Sequence, residues 1–146
     1  MMAGCCREKG AQGEETNVDG QEALAAAERL FNTVENGNVE ELREIFASGA
    51  RIWHNTDNKS IDVEASIRSI RGIKNAAAEY RYTDIRREPT PSGFVQQHVL
   101  LIRLKNGTLI TDRACCICTV INGRIWQMDA YHDSASFKVP GFSLRE

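Results

Sequence analysis

Nothing in the chain is apolar for long enough to cross a bilayer. The longest apolar stretches, around Ala114–Ile121 and Val99–Ile102, fall far short of the roughly 20 residues a spanning helix needs. Charge of one sign is not in excess either: 18 Lys and Arg stand against 20 Asp and Glu, a net charge of −2. The basic residues are scattered rather than striped, which excludes the concentrated basic face of a nucleic-acid binder. Five cysteines, an odd count in two clusters (Cys5 and Cys6; Cys115, Cys116 and Cys118), do not make a disulfide framework. Residues 1–18 contain no apolar run and read as a disordered tail, neither signal peptide nor membrane anchor. They begin Met-Met-Ala, without the Met-Gly that N-myristoylation requires, and Cys5–Cys6 has no assignable role.

What is present suits one soluble domain. The 146 residues are 42% hydrophobic and 26% charged, enough to bury a core without staples. Cys115 and Cys118 spell C-x-x-C, but the run around them has strand character, and residues three apart on a strand face opposite ways. Cys116 and Cys118 share a face at about 6.6 Å, a poor distance for a bridge. These cysteines are therefore read as small, reduced, buried hydrophobes, and the protein as cytoplasmic.

The helices come first. Asp19 precedes Glu22 by three residues, as in a capping box, and Leu24, Ala27, Leu30, Phe31 and Val34 repeat at helical spacing. Gly37 is expected to end this helix in a left-handed cap. A second helix is expected from Asn38 to Gly49 and a short strand over Arg51–Asn55, with Thr56–Ser60 as turn. A third helix is expected over Asp62–Asn75, with Ile67, Ile70 and Ile73 inward. The rest reads as four strands, Glu79–Glu88, Gly93–Leu104, Thr108–Ile121 and Gly123–Asp133. Two Asn-Gly pairs, Asn106–Gly107 and Asn122–Gly123, mark hairpins between them. Helices grouped before an antiparallel meander indicate an α+β fold.

Three stretches, Leu42–Asn55 (LREIFASGARIWHN), Gly93–Leu100 (GFVQQHVL) and Asn122–Asp133 (NGRIWQMDAYHD), carry a resemblance to a known family. The chain resembles the SnoaL-like branch of the nuclear-transport-factor-2-like superfamily, which includes ketosteroid isomerases, limonene-epoxide hydrolases and scytalone dehydratases. The resemblance spans about residues 20–137, and the domain is set at 19–137 with a C-terminal tail over 138–146. It implies a cone in which three N-terminal helices pack into a curved, mostly antiparallel sheet with one open, apolar pocket. Fold alone does not choose among the chemistries such a scaffold supports.

The candidate site rests on the only three histidines. By the resemblance, His54, counted from Phe46, falls where the isomerase pattern has its carboxylate proton shuttle. His98 takes the inward position of the epoxide-hydrolase arginine. His132 shares the strand face of Ala130, so all three are expected to face one cavity. Arg113 is expected to join them by alternation with Cys115, Ile117 and Thr119. An imidazole titrating near 6.5 can accept and return a proton at neutral pH. Gln96 and Arg113 would polarise a carbonyl as an oxyanion hole does. Trp53, Asn55 and Met128 complete the expected substrate-binding set with Gln96, Arg113 and His132. If Ser48–Gly49 is an insertion relative to some relatives, Trp53 and Asn55 line the pocket and His54 turns away. Asp57, on the loop that follows, would orient an imidazole or simply form the turn.

Known catalytic sets do not transfer intact. His98, Leu100 and Ala130 stand where an epoxide hydrolase of this fold needs an Arg–Asp pair and a second Asp. Leu30 and Cys115 stand where the isomerase pattern has its two oxyanion donors. The expectation is a cofactor-independent, metal-free isomerase, cyclase or dehydratase, with His54 and His98 as acid/base groups on a lipophilic carbonyl- or hydroxyl-bearing molecule. The alternative is a non-catalytic ligand-binding or assembly domain. Homodimerisation is expected through the outer sheet face, where Val99 and Leu101 would join Cys116, Cys118 and Val120 in a second apolar surface.

Overall fold

Asp19 starts the first helix by accepting the Gln21 N–H at 3.0 Å, and α1 (Gly20–Asn36) follows. The computed structural model describes residues 18–133 and 135. The expected tails, with Cys5–Cys6, lie outside these residues except for Val18, whose N–H bonds the Pro91 carbonyl at 3.1 Å. A 3-10 turn (Val39–Glu41), α2 (Leu42–Ile45), β1 (Phe46–His54), β2 (Lys59–Ile61) and α3 (Val63–Ala76) come next. The meander is β3 (Ala77–Thr90), β4 (Gly93–Leu104), β5 (Leu109–Ile121) and β6 (Arg124–Tyr131). The six strands form one curved, unclosed sheet in the order β2-β1-β6-β5-β4-β3. Among the described residues only the β1–β6 pairing is parallel, and the helices pack into the concave face as an α+β cone.

Of the expected stripe on α1, Ala27, Leu30, Phe31 and Val34 are buried, whereas Leu24 is only half-buried and Ala23 takes the inward position beside it. Ala23, Ala27, Leu30, Phe31 and Val34 are buried in one cluster with Leu42, Ile45, Phe94, Val120 and Ile125. Alanines at 23, 26 and 27 let the helix lie close to the sheet, and Phe31 fills the space deeper in the cone. Such a fully buried aromatic contributes about 1.5–3 kcal/mol.

Four expectations give way to tertiary structure. Gly37 is not left-handed (φ −106°); Lys74 of α3 donates instead to the Val34 and Glu35 carbonyls at the end of α1. A Cβ at 37 would sit 3.2 Å from the Thr33 carbonyl oxygen, a tight contact that glycine avoids. The second helix is a single turn: β1 begins at Phe46, and Gly49 (φ +82°) forms a bulge inside it. Part of the expected turn at Thr56–Ser60 is strand β2, pairing Ser60 with Trp53.

The fourth correction concerns β5, which faces opposite to the expected way. Asp112, Ala114, Cys116, Cys118 and Val120 are buried, whereas Arg113 and Ile117 are exposed. Its register pairs Cys116 with Gln96, Ala114 with His98 and Asp112 with Leu100, so these share the inner face. Arg113 therefore lies outside the cone, and Cys115, Ile117 and Thr119 replace Cys116, Cys118 and Val120 on the outer surface. Apart from Asp112 and Arg113, both faces of this strand are made of small or apolar residues, so alternation alone left the parity open.

Candidate active site

The cone encloses a cavity of about 100 Å³ whose wall is mostly aliphatic and aromatic. His54, His98 and His132 all line it. His54 ends β1, His98 is central on β4, and His132 follows β6, so the sheet's pairing brings together residues far apart in sequence. The His54 and His132 rings stack, with centroids 5.5 Å apart and planes 18° from parallel.

His132 is held by a buried carboxylate. Its Nδ1 lies 2.7 Å from Asp112 Oδ2, and Asp112 Oδ1 accepts the Asp133 N–H at 2.9 Å. Asp112 is fully buried. A carboxylate can only accept, so Nδ1 of His132 carries the proton and its Nε2 presents a lone pair when the ring is neutral. Asn55 adds a backbone clamp: its Oδ1 accepts from His132 N at 2.8 Å, and its Nδ2 donates to His132 O at 3.1 Å.

His98 is held differently. Its Nδ1 lies 3.0 Å from Gln96 Nε2, and Gln96 Oε1 accepts from Arg87 Nε at 2.6 Å. The Phe31 and Tyr82 rings meet the imidazole edge-on, at centroid distances of 5.4 and 4.8 Å. Burial pushes the His98 pKa down to about 4, against a smaller opposing pull from Asp112. The ring is thus neutral at pH 7, and the ordinary imidazole value assumed from sequence does not apply to it. Tyr80 and Tyr82 line the same cavity with hydroxyls 3.3 Å apart. Burial raises both, Tyr80 to about 12, so both remain phenols.

Of the expected substrate-binding residues, Met128 and His132 line the cavity and four do not. Trp53 lies on the outer face against Tyr131 (5.2 Å between centroids), its Nε1 donating to Asn58 Oδ1 at 2.9 Å. Asn55 is the clamp described above. Gln96 is fully buried beneath His98, and Arg113 is outside. The alternative alignment, with Trp53 and Asn55 inward and His54 outward, is not the one the chain adopts. Asp57 Oδ1 accepts the Lys59 N–H at 3.1 Å, as turn aspartates do. Sequence reasoning missed Asp112, Tyr80, Tyr82 and Arg87 as members of the site. The available signal was Asp112 itself, an acid in a strand that is otherwise, Arg113 apart, made of small or apolar residues. Among the described residues, no three His, Cys, Asp or Glu side chains are grouped as metal ligands are.

The same arrangement of helices and sheet occurs in solved structures. An LEH-like epoxide hydrolase of M. tuberculosis superposes with a TM-score of 0.67 at 15% identity, covering 80% of this chain and 86% of that one. The chain has the SnoaL-like, nuclear-transport-factor-2-like fold. A protein assigned as a SnoaL-like polyketide cyclase from Shewanella putrefaciens matches this chain with a TM-score of 0.68 at 13% identity, over 82% and 94% of the two chains. One assigned as an isomerase from Bacillus subtilis reaches 0.69 at 11% identity, over 81% and 91%. No family model matches the sequence, and no curated protein resembles it significantly. Identities this low carry the fold and nothing finer. Among the described residues no helix is long and apolar enough to cross a membrane.

Proposed function

We propose that this SnoaL-like protein is a cofactor-independent enzyme of isomerase, cyclase or dehydratase type, acting on a lipophilic carbonyl- or hydroxyl-bearing molecule. The observation that carries this reading is the Asp112–His132 pair on the wall of an apolar cavity. Asp112 holds the imidazole in the tautomer whose Nε2 can take a proton, and stabilises the imidazolium that results. A proton removed beside a carbonyl would reside on His132 and return to another atom, or to a departing hydroxyl. His54, stacked on His132, is the second group placed to relay it, and His98 is the third imidazole on the wall.

Size supports a modest substrate. About 100 Å³ is less than the roughly 150 Å³ of an engineered cavity that admits benzene, so the reacting portion is a single ring or smaller. Fold neighbours that include an LEH-like epoxide hydrolase and proteins assigned as a cyclase and an isomerase fit small-molecule chemistry on this scaffold. The three described free cysteines agree with a reducing, cytoplasmic setting.

The test is catalysed hydrogen–deuterium exchange. Cyclopentanone in D2O, followed by proton NMR, should lose its α-proton signal faster with the protein than in buffer, and His132→Gln should remove the difference. Exchange no faster than buffer across a panel of small cyclic ketones and enones would sink the enzyme reading.

A second reading has its own observation. Ile117, Trp126 and Tyr131 are each more than two-fifths exposed, and Ile117 and Tyr131 stand with Trp53 on the outer face. Such a surface suits a homodimer of a ligand-binding or assembly domain. Sedimentation at micromolar concentration separates a dimer from a monomer, independently of exchange.

A further inference from the structure

A chain of two hydrogen bonds, Arg87 to Gln96 and Gln96 to His98, determines where the His98 proton sits. Arginine is a donor only, so the Gln96 atom it meets must be the carbonyl oxygen, and the amide cannot be turned around. The Gln96 nitrogen that faces His98 Nδ1 is likewise a donor only. Nδ1 must therefore accept, which leaves the proton of a neutral His98 on Nε2. Among the described residues no protein group bonds that Nε2, and the ring lines the cavity. Phe31 and Tyr82 hold its plane.

From this geometry we infer that Arg87 and Gln96 are positioning residues that lock His98 as a neutral Nε2–H donor, so that the cavity selects ligands presenting a hydrogen-bond acceptor, a ketone or ether oxygen, to His98. A donor-only group brought to His98 would set donor against donor, so what this ring selects is an acceptor. The depressed pKa of His98 keeps the ring in this state at neutral pH, because burial disfavours the imidazolium. His132 is wired the opposite way, with its proton on Nδ1, so one wall donates and the other accepts. The inference takes the cavity as the ligand site, as the proposed function does, but it needs no turnover.

The test reads the tautomer directly. A long-range proton–nitrogen correlation of the uniformly 15N-labelled chain at pH 7 should show His98 with Nε2 protonated and Nδ1 bare. Gln96→Glu keeps an acceptor for Arg87 and turns another acceptor towards Nδ1, so the His98 proton should move to Nδ1. Should that buried carboxylate prevent folding, Arg87→Met frees the Gln96 amide to turn, and a second His98 tautomer should appear while the His132 pattern stays unchanged. Cyclopentanone should bind about tenfold more tightly than methylenecyclopentane, its isosteric hydrocarbon, and Gln96→Glu should erase that preference. A wild-type His98 protonated on Nδ1 or on both nitrogens overturns the inference. So does a tautomer that no variant moves, or equal affinity for ketone and hydrocarbon. Failure of the exchange assay beside a locked Nε2–H ring would remove the enzyme reading and leave this one intact.

Discussion

His98 and His132 line the same cavity and differ in almost everything that decides what an imidazole does. His132 leans on a buried carboxylate through Nδ1, with its backbone clamped by Asn55. His98 leans on a buried amide that a guanidinium holds in place, between two aromatic edges. Acceptors beneath one ring and donors beneath the other leave opposite nitrogens protonated. Two residues of one type thus become an acceptor and a donor, and the second layer of side chains, more than the imidazole itself, carries the assignment.

The largest expected effect comes from removing the acceptor under His132. Asp112→Asn keeps the shape but can present an N–H to Nδ1, leaving His132 in the wrong tautomer. The catalysed exchange rate should fall by about 10⁴-fold, as in comparable Asp–His pairs, with the far-UV circular dichroism spectrum unchanged. A fall of less than tenfold would mean that Asp112 only buttresses the strand.

Acid should next distinguish the two surroundings through His98. Its folded pKa of about 4 lies below the ordinary value of 6.5, so between those two values the unfolded chain binds a proton that the folded chain refuses. Stability therefore falls as pH drops from about 6.5 towards 4, by something on the order of 3 kcal/mol, and this contribution is flat above and below that window. Urea unfolding at a series of pH values reads it out. His98→Gln should flatten the acid limb; an unaltered limb would assign the loss to other groups.

The smallest effect sharpens the contrast between neighbours on β5. Arg113 is one residue from Asp112 but on the exposed face. Arg113→Ala should change stability by no more than about 0.5 kcal/mol and leave ketone exchange as it was. A large loss of exchange would return Arg113 to the cavity and reverse the face assignment of the strand.

Much of the scaffold is legible from residue order. Helical spacing, with the Asp19 cap for the first, places α1 and α3 within a residue or two, because capping and one-sided burial act over a single turn. Asn122–Gly123 places the β5–β6 turn for an equally local reason, since both residues adopt positive φ (54° and 77°). Local signals misled where a distant group intervened. Lys74 reaches 40 residues back to end α1, and β2 exists only because β1 offers it an edge.

The site divides along the same line. Its three imidazoles could be picked out as scarce, titratable residues on or beside strands that a resemblance brought to one pocket, and that much the order of residues determined. Tertiary structure alone decided that Asp112 rather than Arg113 faces the cavity, that Gln96 lies beneath a histidine rather than beside a ligand, and which nitrogen of each ring holds the proton. The reason is physical. A strand with small or apolar residues on both faces has no parity of its own, and a tautomer belongs to the partner across the sheet, which only pairing register selects.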